Sequence, residues 1–444
     1  MWPWRQSFLP LFALTSCGDN RALPDAPPPP PRIEVALVPI IANPEVDILF
    51  VLQKSCCTLD KQLRLRDAFP ALIEELSALP DGLPSLHIGS VTTHLGTKAA
   101  NSPDPAPSLG PLCEGTGDRG ALYASGSPAL SGNFIADTRN SDGTRATNYT
   151  GSVVEAYGAI GTPGATGCGF AQHLEAARLA LDDHPENVGF LRPGANLALV
   201  VLAEDEDCSV ADPLMFTTQT DVLGPVSSFR CVRFGVTCDE GGRTPDEMNE
   251  VGVKTGCHSN ESSPYSVPVG VYESFLKGLK ADPRSVMVAA IAGEASHVEV
   301  ILSSPPGGGE PIPRVSATCS IGNDVAEPTV RIAQLARSFA RHVVADSCNP
   351  DFTDAATAIA RQIRGMTGDT CLSRDIAQPA DCEVADQRRD GSETMIPPCD
   401  GVITTNCYRL VPDASCRTSQ QLRVDVTRTA TPPADTMIAV RCRL

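Results

Sequence analysis

The side chains best placed for chemistry fall just past the ends of two apolar runs. Ile48 to Leu52 is apolar throughout, and Gln53, Ser55 and Cys57 follow it. Leu197 to Ala203 is the second such run, followed by Glu204, Asp205, Glu206 and Asp207. Runs of this kind suit central strands covered on both faces of a parallel sheet. In such sheets ligands bind beyond the carboxyl ends of the strands, where both sets of residues lie. Asp205, Glu206 and Asp207 offer the hard oxygen donors that Mg²⁺ or Ca²⁺ takes, although an acidic turn is more often simply solvated.

Other chemistry finds less support. The histidines are scattered: His173 lies on an amphipathic segment and His94 just after a strand, and neither has a Ser, Cys or Asp partner at a triad spacing. Cys238 with Cys257-His258 resembles half a zinc site but fits an oxidised loop better in an exported chain. Gly307 to Gly309 lacks the Lys and the following Ser or Thr of a phosphate-binding loop and reads as a turn. Asn148-Tyr149-Thr150 and Asn260-Glu261-Ser262 match the glycosylation sequon by chance. No catalytic set emerges, so a non-enzymatic protein is expected. The competing reading is a hydrolase whose site is assembled in long insertions.

The elements that would position these residues alternate. Strand Val46–Leu52 is followed by a helix over Leu59 to Leu79, with Leu65, Phe69, Leu72 and Leu76 as its apolar stripe and Pro70 kinking or splitting it. A strand over Leu86 to Thr93 comes next. Gly169 to Asp183 is an amphipathic helix, Val271 to Leu279 another, and Ser285 to Ala292 and Val298 to Leu302 are strands. Thr329 to Val344 and Phe352 to Met366 read as helices. This alternation predicts an α/β fold with a doubly wound, mostly parallel sheet over 33–368. Ile33 to Ile41 reads as an edge strand before it. A long irregular insertion rich in Gly, Ser, Pro and Asn interrupts the sheet near 96–152, and a second insertion lies near 208–263. Cys208, Cys231, Cys238 and Cys257 in the second insertion would form two loop staples. The segment 369–444 carries Cys371, Cys382, Cys399, Cys407, Cys416 and Cys442 among short β-like runs, and reads as a small disulfide-rich β module whose connectivity stays open among 15 pairings.

Composition bounds the function. The 444 residues carry a net charge of −18, which argues against nucleic acid or an anionic membrane surface as partner. The 17 cysteines, mostly widely spaced, indicate an oxidising compartment. At the N-terminus Arg5, the apolar stretch Phe8–Leu14 and Leu14-Thr15-Ser16-Cys17 resemble a bacterial lipoprotein signal peptide over 1–16, cleaved before a lipidated Cys17. Removing that cysteine from the count leaves an even number for disulfides. Gly18 after it favours the outer membrane over other envelope sites. The Pro-rich stretch 17–32 would then be an extended tether. No later segment offers the ~20 apolar residues that span a bilayer.

Taken in order, Val46-Asp47-Ile48-Leu49-Phe50-Val51, Phe69-Pro70-Ala71-Leu72-Ile73, His87-Ile88-Gly89, Gly167-Cys168-Gly169-Phe170, Leu199-Val200-Val201-Leu202 and Glu204-Asp205-Glu206-Asp207-Cys208 resemble a family of bacterial envelope lipoproteins with a von Willebrand factor type A-like domain. The resemblance implies a metal-ion-dependent adhesion site, with an acid and two serines after the first strand, a threonine from a neighbouring loop and an acid after a later strand. Here Gln53 stands at the first acid, Ser55 and Cys57 at the serines, Thr166 or Cys168 near the threonine, and Glu204 at the later acid. An amide in place of a carboxylate removes about 8 kcal/mol of attraction for a dication at about 4 Å and an effective dielectric of about 20, and sulfur is a poor ligand for Mg²⁺. The site is therefore expected to be degenerate, with no cofactor. Mg²⁺ or Ca²⁺ held by Ser55, Glu204, Asp205 and Asp207 is the alternative, a divalent-metal-dependent adhesin. A crosslink from Cys56 or Cys57 to Cys168 would replace the metal as organiser of the face; a strained vicinal bridge between Cys56 and Cys57 is the other use of that pair. The implied role is a lipid-anchored binding or adhesion protein whose partner is an unknown envelope or extracellular protein.

Overall fold

The computed structural model describes residues 33–55, 58–97, 112–113, 115–218, 220–304, 308–321, 324–400 and 402–444, so Cys17, Cys56 and Cys57 lie outside the described residues. Residues 33–444 pack as one compact unit. Its centre is a seven-stranded sheet. The strands are β1 (Glu45–Leu52), β2 (Ser85–Thr92), β3 (Ile135–Arg139), β4 (Arg145–Thr147), β5 (Asn196–Leu202), β6 (Val286–Ala292) and β7 (His342–Asp346). They lie in the order β7-β6-β5-β1-β2-β3-β4. The run from β7 to β2 is parallel, whereas β3 and β4 join antiparallel. The order reverses at β1, which makes the sheet doubly wound and places a crevice beyond the ends of β1 and β5.

The pleat of β1 explains why its whole run is apolar. Val46, Ile48, Phe50 and Leu52 face one layer, built by α1 (Leu59–Ser77) and by a C-terminal helix over Thr353–Thr367. Leu49 and Val51 face the other, built by α2 (His173–Leu181), α3 (Val269–Gly278) and α4 (Val330–Arg337). Both sides of the strand are thus covered, as in a parallel sheet.

Several elements depart from the sequence reading. Helix α1 continues through Pro70, which sits on the exposed face where water can reach the carbonyl it leaves unpaired. The expected helix over Thr329 to Val344 ends at Arg337, and β-branched Val343 and Val344 enter the edge strand β7. The first insertion is not wholly irregular, because it supplies β3 and β4. Val298–Leu302 lies in His297–Ser303, which joins a separate antiparallel sheet with Val236–Glu240, Gly252–Ser259 and Ile312–Val315. The strand Ile33–Pro39 is the edge of the C-terminal sheet, paired with Met437–Arg443, and does not border the central one.

The cysteines pair as Cys208–Cys231 and Cys238–Cys257 in the second insertion, and as Cys371–Cys416, Cys382–Cys442 and Cys399–Cys407 near the C-terminus. Cys319–Cys348, absent from the sequence reading, ties the loop before α4 to the end of β7. The C-terminal sheet has its own small core of Val38, Val384, Ile396, Tyr408, Ile438 and Val440. Among the described residues no helix is long and apolar enough to cross a membrane.

Candidate functional site

The chain leaves the sheet at Gln53, whose backbone N–H donates to the Leu202 carbonyl at 3.2 Å. Its side chain is 1 % exposed, so every polar atom on it needs a partner. The backbone N–H groups of Glu204 and Asp205 donate to Gln53 Oε1 at 2.6 and 3.2 Å. Only the carbonyl end of an amide accepts, so the orientation is fixed. The NH₂ end faces the strand-end crevice and donates to Ser55 Oγ and to Asp205 Oδ2, both at 2.8 Å. One glutamine thereby ties the loop after β1 to the loop after β5.

Helix α1 holds the loop from below. Thr58 Oγ1 donates to the carbonyls of Gln53 and Ser55 at 3.0 and 2.9 Å, and Gln62 Nε2 donates to the carbonyls of Gln53 and Gly164, both at 2.8 Å. Gly167 closes the far side. A Cβ there would stand 1.8 Å from the Lys54 carbonyl oxygen, so only glycine lets that loop come so near.

A buried cation completes the arrangement. Lys61, on the first turn of α1 and 1 % exposed, lies with Nζ 3.2 Å from Glu204 Oε2 and 2.8 Å from the Val325 carbonyl. The negative side of this centre is crowded. Burial raises the Asp205 carboxyl above the usual carboxylate range, against the pull of Gln53 and Lys61. Burial also raises Glu327 well above that range, and the charges of Asp205 and Glu204 push it the same way. Gly293 allows this approach too, since its Cβ would meet the Glu327 carbonyl oxygen at 1.8 Å.

The next two acids are turned inward. Glu206 accepts from the backbone N–H groups of Val330 and Arg331 at 2.6 and 3.2 Å, at the start of α4. Burial raises its carboxyl to about 7, with Arg331 opposing. Asp207 pairs with the fully buried Arg331 at 3.1 Å, and accepts from Ser209 Oγ at 2.7 Å and from Leu174 N–H, in the first turn of α2, at 3.0 Å. Asp207, a candidate ion ligand in the sequence, is therefore a bridge between α2 and α4. His173 packs beside it without exposure, 3.2 Å from Gln53 Oε1, and burial lowers its pKa to about 4.

The structure thus gathers Gln53, Ser55, Glu204 and Asp205, and turns Asp207 inward to Arg331. Thr166 is exposed. Cys168 is bonded to Cys113, which overturns the crosslink expected from Cys56 or Cys57. The bond ties the long insertion, through Cys113, to the loop that follows it, a choice that sequence spacing leaves open. Lys61, Glu327 and Arg331 were not singled out from the sequence. Lys61 had a signal: it precedes Leu65, Phe69 and Leu72 at helical spacing and so falls on the buried face.

These residues do not fit a divalent ion. The amide turns donor hydrogens, rather than oxygen, toward the crevice, Ser55 Oγ already accepts one of them, and an ammonium lies against Glu204. Among the described residues Cys319, Asp346 and Cys348 come close enough to share an ion, but the two sulfurs are bonded to each other.

The strand order and helices on both faces give a mixed α/β fold with a doubly wound, mostly parallel sheet, the fold class expected from the sequence. No family model matches the sequence, and no curated protein matches it. Solved structures that match include the pilus adhesin SpaC from Lactobacillus rhamnosus GG, at 9 % identity and TM-score 0.32, over 90 % of this chain and 39 % of that one. A von Willebrand factor type A protein from Catenulispora acidiphila matches at 11 % identity and TM-score 0.28, over 93 % of this chain and 64 % of that one. The chain therefore spans less than two thirds of the length of either protein. At these scores neither match adds to the case for the fold, which rests on the strand order.

Proposed function

We propose that this chain is a non-enzymatic, exported binding protein. Its strand-end face is organised by an internal ammonium and an amide in place of a divalent ion, and recognises a protein partner in the cell envelope or outside the cell. The observation that carries this reading is the Gln53 side chain, which joins Ser55, Asp205 and the backbone of Glu204 in one network beside Lys61. A face organised in this way keeps its shape without a cofactor, so binding becomes independent of divalent ions. Seven disulfides among the described residues support an oxidising compartment. Lipidation at Cys17 and placement at the outer membrane belong to the same proposal.

One observation favours a metal-dependent adhesin instead. Asp205, Glu204 and Glu327 crowd together, and a divalent ion would relieve their repulsion. Lys61 already supplies a positive charge there, which weighs against that reading. Capture of partners from envelope extracts, with and without chelator, separates the two. Lys54 stands at the rim of the face, its Nζ 3.0 Å from Asp118 and its side chain 15 % exposed. The proposal expects chelator-insensitive capture that Lys54→Glu abolishes and Arg409→Glu, on the C-terminal hairpin, leaves intact. Capture abolished by chelator favours the adhesin.

A further inference from the structure

At the opposite end of the sheet, the amino ends of β5, β6 and β7 meet the C-terminal β module around a cleft of about 330 Å³. Arg341, just before β7, lines this cleft and is 3 % exposed. Its guanidinium makes one long contact, from Nη2 to the Gly365 carbonyl at 3.4 Å, while Nε is buried without a partner. Among the described residues no carboxylate lies within ion-pair distance of it. Thr436, contributed by the β module and 2 % exposed, lines the same cleft with its hydroxyl also buried and unpartnered.

The acids nearby are already engaged. Asp282 is held by Arg284 through Nη2–Oδ2 at 2.7 Å and Nε–Oδ1 at 3.0 Å, and lies 3.9 Å from Arg389. Asp435 is held by Arg388 at 2.8 Å. Of the charges lining the cleft, Arg284, Arg341 and Arg389 outnumber Asp282 and Asp435, in a protein whose overall charge is −18. Burial, aided by the charge of Arg284, lowers Arg341 only to about 9, so it stays cationic at neutral pH.

A buried guanidinium without a counter-charge is costly, and unpaired polar groups in protein interiors are rare. We propose that this cleft is a binding site for a small oxyanion, a phosphate or carboxylate group, held by Arg341 and the Thr436 hydroxyl with Arg389 at the rim. The guanidinium supplies forked N–H donors suited to such a group, and the hydroxyl supplies one more. Because its walls come from both the α/β layers and the β module, an occupied site would also fasten the two together. The site is independent of the strand-end face and of the function proposed for it.

The test is calorimetric titration of the full mature protein with inorganic phosphate and, separately, with succinate, at constant ionic strength in chloride. Saturable binding of either at one site is expected, and the one that binds names the head group. Arg341→Gln should weaken it by about tenfold or more, the loss of a charge-assisted contact. Thr436→Val and the exposed Arg389→Ala should each weaken it by about threefold to tenfold, which keeps the test open if Arg341→Gln does not fold. No saturable heat from either anion, or binding unchanged in all the folded variants, overturns the proposal.

Discussion

Replacing Lys61 by methionine removes the internal cation while keeping nearly the same volume on the buried face of α1. The Nζ to Oε2 distance of 3.2 Å corresponds to an attraction of about 5 kcal/mol at an effective dielectric of about 20. Part of this is offset in the native protein by the desolvation of both groups. Breaking one side of a buried pair usually costs about 3 to 5 kcal/mol, because the remaining charge keeps its burial and loses its partner. Glu204 is only 6 % exposed, so Lys61→Met should lose about 3 kcal/mol of stability at neutral pH. Urea unfolding of wild type and variant at neutral pH measures this loss, in a reducing-agent-free buffer so that the disulfides stay intact. A penalty below about 1 kcal/mol, of the size expected for a surface pair, would refute the reasoning.

Further outcomes follow from the same geometry. Gln53→Glu exchanges the donor NH₂ for a carboxylate oxygen beside Asp205, and should destabilise the protein by about 2 kcal/mol or more through a lost hydrogen bond and like-charge repulsion, as read by thermal unfolding. His173, held at about 4 against an ordinary 6.5, binds fewer protons when folded than when unfolded. It therefore contributes stability above pH 6.5 that is lost as pH falls toward 4, by about 3 kcal/mol; His173→Gln should flatten that limb of the pH profile. Glu206 acts with the opposite sign. Raised from 4.5 to about 7, it lowers stability as pH rises through that window, and Glu206→Gln should remove this loss. Replacing Cys382 and Cys442 together by alanine opens the bridge between the two middle strands of the C-terminal sheet, and should cost about 2 to 5 kcal/mol in the same unfolding assay.

The sequence was most legible where burial was complete. Ile48 to Leu52 and Leu197 to Ala203 announce central strands because both their faces are covered. The edge strand β7 was hidden because it is short and half-exposed, with alternate residues reaching solvent, so Val343 and Val344 read as the tail of a helix. Ile33–Pro39 was hard to place because its partner, Met437–Arg443, lies at the other end of the chain, and no local pattern reports a pairing of that range. Position was legible at the site as well: Gln53, Ser55, Glu204 and Asp205 do converge. The roles were less so. Asp207 cannot be told from Asp205 in an acidic string, and only the fold shows that Arg331 draws it inward. The partner of Cys168 was one of many combinations.

Under the proposed function, an amide and an ammonium stand where an ion would otherwise organise the face. Calorimetric titration of the metal-free wild-type protein with Mn²⁺, repeated with Mg²⁺ and Ca²⁺, tests this most simply. That arrangement predicts no saturable binding at the strand-end face and unfolding curves that coincide with and without chelator. A saturable site that Glu204→Ala or Asp205→Ala abolishes would contradict it.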